Sequence, residues 1–167
     1  MVTQQRLKEL LHYDEETGKF TWMVKKGRIK PGHLAGSVNN CGYVHICIDR
    51  KHYKASRLAW LYVYGHMPSS YVDHVNRIRT DDRISNLRLA SANENSQNRK
   101  MNSKNKSGIS GVSWHKRTSK WTAQIMVNGE KIYLGIFETI EDAAAARSSA
   151  KEKYHTFNPE DYNEKVA

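Results

Sequence analysis

Adjacent Asp73 and His74, followed by Asn86 and Asn95, are the residues of this chain whose types and order suit hydrolytic chemistry. Asp73 offers a carboxylate oxygen and Asn95 an amide oxygen, hard donors that suit Mg²⁺ or Mn²⁺, ions that keep several of their own waters. His74, with an ordinary imidazole pKa near about 6.5, is a natural base at neutral pH. A base for water, a cation to neutralise phosphate charge, and a scaffold holding both are the requirements of phosphodiester hydrolysis. Neighbouring strand residues point to opposite faces, so the strand must end or kink at Asp73 and His74 if both serve one phosphate. Asn93 and Asn98 compete with Asn95 as ligands, and spacing favours Asn95. Asp81 and Asp82 read as loop-fixing or solvated groups and stay outside the expected site.

The elements that must position these residues are legible in the pattern. A short strand at 71–74, a polar loop NRIRTDDRIS, a strand at 87–90 and a helix from Ala92 form one compact unit, with Ser91 and Glu94 spaced as a capping box. Upstream, Leu7, Leu10 and Leu11 share a face of a helix over 3–11, a turn at 16–18 precedes a strand at 19–23, and GYVHICIDRKHYKA alternates as a half-buried hairpin. SRLAWLYVY suits a centrally buried helix, ended by Gly65. The hairpin residues Tyr43, His45, Arg50, Lys51 and Lys54 form a second candidate surface beside the site.

The chain has 167 residues, with 27 Lys plus Arg against 17 Asp plus Glu, a net charge of +10 that calls for a polyanionic partner. Hydrophobic residues make up 38%, too many for a disordered basic tail. The longest apolar run falls far short of the roughly 20 residues that span a bilayer, and charges interrupt the N-terminal stretch where a signal peptide needs an apolar core. A cytoplasmic protein is expected. Cys41 and Cys47 match neither zinc-site spacing nor a disulfide framework and read as two unpaired thiols.

VDHVNRIRTDDRISNLRLASANENSQNR resembles the HNH nuclease motif of phage- and intron-encoded homing endonucleases, with His74, then eleven residues to Asn86, then eight more to Asn95. The resemblance extends upstream through TGKFTW, GYVHICID and SRLAWLYVYG. It implies that His74 is the general base, that Asn86 pins the loop and orients the imidazole, and that Asp73 and Asn95 bind the metal. Where many members of that family have His at the third position this chain has Asn95, which favours Mg²⁺ or Mn²⁺ over softer ions.

Beyond a stretch with no apolar periodicity the pattern restarts with period two. Trp121, Ala123, Ile125 and Val127 alternate with Thr122, Gln124 and Met126, Asn128-Gly129 signals a hairpin turn, and Ile132, Leu134 and Ile136 face one way. Thr139 then starts an alanine-rich helix to about Tyr154. This segment resembles the ethylene-response-factor (Apetala-type) DNA-binding domain, in which a three-stranded sheet lies in the major groove. That resemblance nominates Ser113, His115, Arg117, Thr122, Gln124, Lys131 and Tyr133 as DNA-facing. Arg117 and Gln124 suit base edges and Lys131 a phosphate. Arg99, Lys100, Lys104 and Lys106, in a segment without acidic residues, suit the DNA backbone.

The expected fold is α+β: an N-terminal ββα-metal nuclease module (1–98), a basic linker (99–110), and a C-terminal three-stranded antiparallel sheet packed on one helix (111–167). The expected function is Mg²⁺- or Mn²⁺-dependent hydrolysis of a phosphodiester in double-stranded DNA, as a site-selective nickase, monomeric and with no obligate protein partner. The competing reading is a non-catalytic DNA-binding regulator on a nuclease-like scaffold.

Overall fold

A computed structural model describes residues 1–98, 101 and 105–155, which fall into two compact units, Met1–Ser91 and a second beginning at Ala92. The fold is mixed α+β. In the first unit helix α1 (Gln4–Leu10) starts at Thr3, whose hydroxyl accepts the Arg6 N–H at 3.2 Å. Leu11 does not continue the helix as its spacing predicts. Its backbone is extended, its N–H closes the last turn on the Leu7 carbonyl, and it opens β1 (Leu11–Asp14), pairing with Trp22 of β2 (Lys19–Trp22).

A three-stranded sheet follows, with β3 (Ser37–Val38), β4 (Val44–Ile48) and β5 (Lys51–Lys54) in that spatial order. The predicted alternation holds, since Ile46 and Ile48 are buried while His45 and Cys47 are only half-buried. Helix α2 (Ala55–Tyr64) buries Ala55, Ser56, Leu58, Ala59 and Leu61, and Gly65 ends it in the left-handed conformation (φ 80°). Leu7, Leu11, Tyr13, Phe20, Trp22, Ile46, Ile48, Leu58 and Leu87 belong to one continuous core. Each fully buried Leu or Ile contributes about 2 kcal/mol. Hairpin strands β6 (Tyr71–His74) and β7 (Leu87–Ala90) lie antiparallel, joined by a loop that closes with a 3-10 turn at Ile84–Asn86.

The second unit opens with α3 (Ala92–Gln97) and continues as β8 (Val112–His115), β9 (Lys120–Val127) and β10 (Glu130–Phe137), with β9 in the middle of an antiparallel sheet. Helix α4 (Ile140–Tyr154) buries Ala143 and Ala150, and Ala143 packs with Val112 and Ala123. Small side chains on both partners allow that close approach. Thr139 caps α4, accepting the Asp142 N–H at 3.1 Å. One sequence expectation fails here. Ile132, Leu134 and Ile136 do not share a face, because a bulge shifts the register between Tyr133 and Gly135. The extra residue turns Ile136 out to solvent and brings Phe137 onto the core.

Candidate active site

The site is built where β6 ends. Asp73 and His74 are its last two residues, and both are buried although a continuing strand would send them to opposite faces. After His74 the chain leaves the ladder, and the Val75 N–H turns to the Asn86 carbonyl at 3.0 Å. Asp73 faces Arg88 directly across the hairpin, and the Arg88 guanidinium donates to Asp73 Oδ2 at 2.9 Å.

Asn86 is the clasp of the loop. Its Oδ1 accepts the Asn76 N–H at 3.0 Å, and its Nδ2 donates to the Asp81 carbonyl at 2.8 Å and to Asn76 Oδ1 at 3.0 Å. Asn76 in turn donates to Asp81 Oδ2 at 2.6 Å and accepts the Ile78 N–H, forming a local side-chain turn. Arg83 grips Asp81 with two donors at 2.7 and 2.6 Å, and that guanidinium holds the Asp81 carboxyl below its ordinary range.

Asp82, which the sequence reads as loop-fixing or solvated and outside the site, is buried against His74. It is 3% exposed, and its Oδ1 accepts from His74 Nε2 at 2.9 Å. Burial pushes the Asp82 carboxyl up, and the hydrogen bond from His74 opposes that shift. With the proton on Nε2 committed to Asp82, the neutral imidazole carries its basic lone pair on Nδ1. Asp82 is itself held from a distance: the Tyr13 hydroxyl donates to its backbone carbonyl at 2.7 Å. The β1–β2 turn presses on the same spot, since a Cβ on Gly18 (φ 70°) would lie 2.3 Å from the Arg83 nitrogen and 2.5 Å from the Asp82 carbonyl carbon. The one signal in the sequence was the doubled Asp81-Asp82, and nothing local to it distinguishes the member that Arg83 and Asn76 hold from the one buried against His74.

Beside His74 lies the ring of Tyr43, with centroids 6.0 Å apart. Lys54 Nζ stands 4.1 Å and the Arg79 guanidinium 5.0 Å from the Tyr43 ring centre, so two cations flank an aromatic ring next to the imidazole. Arg79 is also fixed to the Cys41 carbonyl at 2.7 Å. Of the second surface read from the sequence, Tyr43 and Lys54 thus come together, His45 bonds Asn39 at 3.2 Å, and Arg50 and Lys51 are exposed.

The remaining expected residues lie in the second unit. Asn95 is half-buried on α3, Asn93 is engaged with Asn128 at 2.8 Å, and Asn98 is buried just beyond the helix. Residues directly opposite in antiparallel strands share a face. Register therefore sets Ser113 with Thr122, Gln124 with Tyr133, and Lys131 with Met126 on the sheet face that does not carry Ala123 and Ile125. Tyr133 is 59% exposed, and Met126 and Ile136, which the sequence reading omits, add apolar surface there. Ser113 and Thr122 bond each other at 3.0 Å, and His115 Nδ1 bonds Thr118 at 2.8 Å. Arg117 is exposed in the β8–β9 turn and Lys106 is exposed ahead of β8, while Arg99, Lys100 and Lys104 lie outside the described residues.

The family model for HNH endonucleases matches residues 53–97, a stretch that holds Asp73, His74, Asn86 and Asn95. Protein 3.8 of Escherichia phage T7 is 35% identical over 86 residues, covering 49% of this chain and 71% of that protein. The chain belongs to the HNH endonuclease family. No solved structure matches it. The HNH region begins inside β5 and runs through α2, the β6–β7 hairpin and α3. Nucleases of this kind use a divalent metal. Among the described residues no three His, Cys, Asp or Glu side chains form a cluster that could hold a metal ion. Within the first unit, the Asp73 carboxylate, which also accepts from Arg88, is an oxygen donor of the kind a hard cation takes. No helix among the described residues is long and apolar enough to cross a membrane.

Proposed function

We propose that this HNH protein is a Mg²⁺- or Mn²⁺-dependent endonuclease that hydrolyses one phosphodiester of double-stranded DNA per binding event. The observation that carries the reading is the buried His74–Asp82 pair at the end of β6, next to Asp73. A histidine 4% exposed and held by a carboxylate has its ring and tautomer fixed before substrate arrives. Asp82 holds Nε2, and His74 Nδ1 takes the proton from the attacking water. Asn86 keeps the loop shut around Asn76 and Asp81, so Asp82 stays under the imidazole. Asp73 and Asn95 would hold the metal, which supplies neutralising charge to the phosphate oxygens when bound. The water oxygen bonds phosphorus, the P–O3′ bond breaks, the leaving O3′ takes a proton from solvent, and the products carry 5′-phosphate and 3′-hydroxyl ends. Residues 1–98 act as the nuclease module, 99–110 as a basic tether, and 111–167 as an Apetala-like reader that docks Ser113, His115, Arg117, Thr122, Gln124, Lys131 and Tyr133 on duplex DNA. The setting is the cytoplasm of a phage-infected bacterium.

The test is supercoiled plasmid with Mg²⁺ and the wild-type, His74→Ala and Asp73→Ala proteins. Open-circular product accumulates before linear. Each variant loses at least about 10²-fold in rate, while metal-free DNA affinity is unchanged, and chelation stops cleavage in the wild type. Full activity in His74→Ala overturns the assignment. Linear product without a nicked intermediate overturns the single-strand cut.

A further inference from the structure

At one edge of the second unit's sheet, β9 runs on past the end of its pairing with β8, and a cavity of about 260 Å³ opens between that edge, α3 and α4. Arg147, His155, Lys131, Gln124, Gln97 and Ser96 line it, and no Asp or Glu is among the described residues around it. Arg147 projects from the middle of α4 and is half-buried. Its Nε is buried without a hydrogen-bond partner. Burial alone lowers its pKa from the ordinary value, with no carboxylate acting on it in the other direction. The nearest acidic residues on its helix sit a turn or more away, and Asp142 is taken by the Thr139 hydroxyl at 2.7 Å.

The space for that guanidinium is made by Gly111, where a Cβ would fall 2.7 Å from Arg147 Nε and 2.3 Å from the Gln124 carbonyl oxygen. His155 closes the far side, its Nε2–H donating to the Met126 carbonyl at 3.3 Å. Burial lowers the His155 pKa, the bond to the Met126 carbonyl opposes that, and the charges of Arg147 and Lys151 lower it further. A half-buried cation with no counter-charge costs stability, and the cost falls when an anion arrives. A guanidinium presents a planar fork of donors that matches phosphate oxygens.

We propose that this cavity is a phosphate site, in which Arg147 donates to the oxygens of one backbone phosphodiester of DNA lying across the sheet edge, with Lys131 at the rim. The site itself stands on the cavity. The DNA backbone as the source of the phosphate rests on the docking function proposed above.

The experiment uses the full chain as wild type, Arg147→Gln and Arg147→Lys. Melting is followed in inorganic phosphate and in chloride at matched ionic strength. Phosphate raises the wild-type Tm progressively with concentration and leaves Arg147→Gln unmoved. In chloride, Arg147→Gln melts at or above the wild-type temperature, because an unpaired charge has gone. A lower melting temperature in chloride makes Arg147 structural and overturns the proposal, as does an equal response to phosphate in both proteins. In the second arm, binding to a short duplex is measured against salt. The slope of log K on log salt falls by about 0.9 for Arg147→Gln and is restored in Arg147→Lys. A phosphate-dependent Tm with an unchanged DNA slope overturns the backbone as the source and assigns the cavity to free phosphate esters. If the wild type itself binds duplex DNA without salt dependence, the docking function fails, and the melting arm still decides the site.

Discussion

The two units hold their polar groups in opposite ways. In the first, the loop from Val75 to Asn86 closes on itself through Asn76, Asp81 and Asn86, and the groups that matter are buried. In the second, Gln124, Lys131 and Tyr133 stand on a sheet face, aligned by strand register. Proton transfer needs a base fixed to within fractions of an ångström, which burial and multiple hydrogen bonds supply. Contact with a long polyanion needs reach and many weak charges, which an exposed face supplies. The lesson is that rigidity is concentrated where bonds would be broken.

The largest expected effect breaks the buried side of this contrast. Gly18→Ala puts a methyl into the Asp82–Arg83 backbone at a left-handed position, and should cost the first unit about 2–4 kcal/mol in urea unfolding. Gly129→Ala is the matched control. It is also left-handed but has nothing within 4 Å of the added atom, so about 1 kcal/mol is expected. Equal costs would remove the distinction between the units. Next, Asp82→Asn should slow cleavage at least about tenfold while DNA affinity holds within a factor of two, since only the imidazole's anchor changes. Plasmid nicking rates beside gel-shift titrations read both quantities.

Smaller still, Lys131→Ala should lower the salt slope of DNA binding by about 0.9 and raise the half-saturating DNA concentration, with little change in turnover. A fall in turnover alone would mean that the sheet takes part in chemistry. The smallest effect concerns Asp81. Its folded pKa is depressed, chiefly by Arg83, so its contribution is present at neutral pH and is lost as pH falls from the ordinary 3.8 through the lower folded value. Asp81→Asn should therefore melt below wild type at pH 7, and the gap should close on acidification.

Much of this was readable in the chain. The alternation of Val44, Ile46 and Ile48, the Asn128-Gly129 turn, the Gly65 stop and the Thr139 cap are local signals, and local backbone physics produced them as expected. The hairpin that carries Asp73 and His74 and closes at Asn86 was legible for the same reason, since a loop of that length brings its two strands back together. What escaped was set by distance or by a single inserted residue. The bulge at Leu134 reverses a face with no change in composition. The backbone of buried Asp82 is held by Tyr13, 69 residues away in sequence, whose hydroxyl donates to its carbonyl. No window along the chain contains both.

That last bond has a consequence for portability. Tyr13 and Gly18 lie outside residues 53–97, the stretch that matches the family model, yet they brace the loop that holds His74. The signature that names the enzyme is therefore smaller than the object that would work. A cassette cut at the signature's borders and transplanted into another scaffold would carry every reactive group and leave behind the brace that aligns them. Engineers borrowing this nuclease must take the chain from its first hairpin onward.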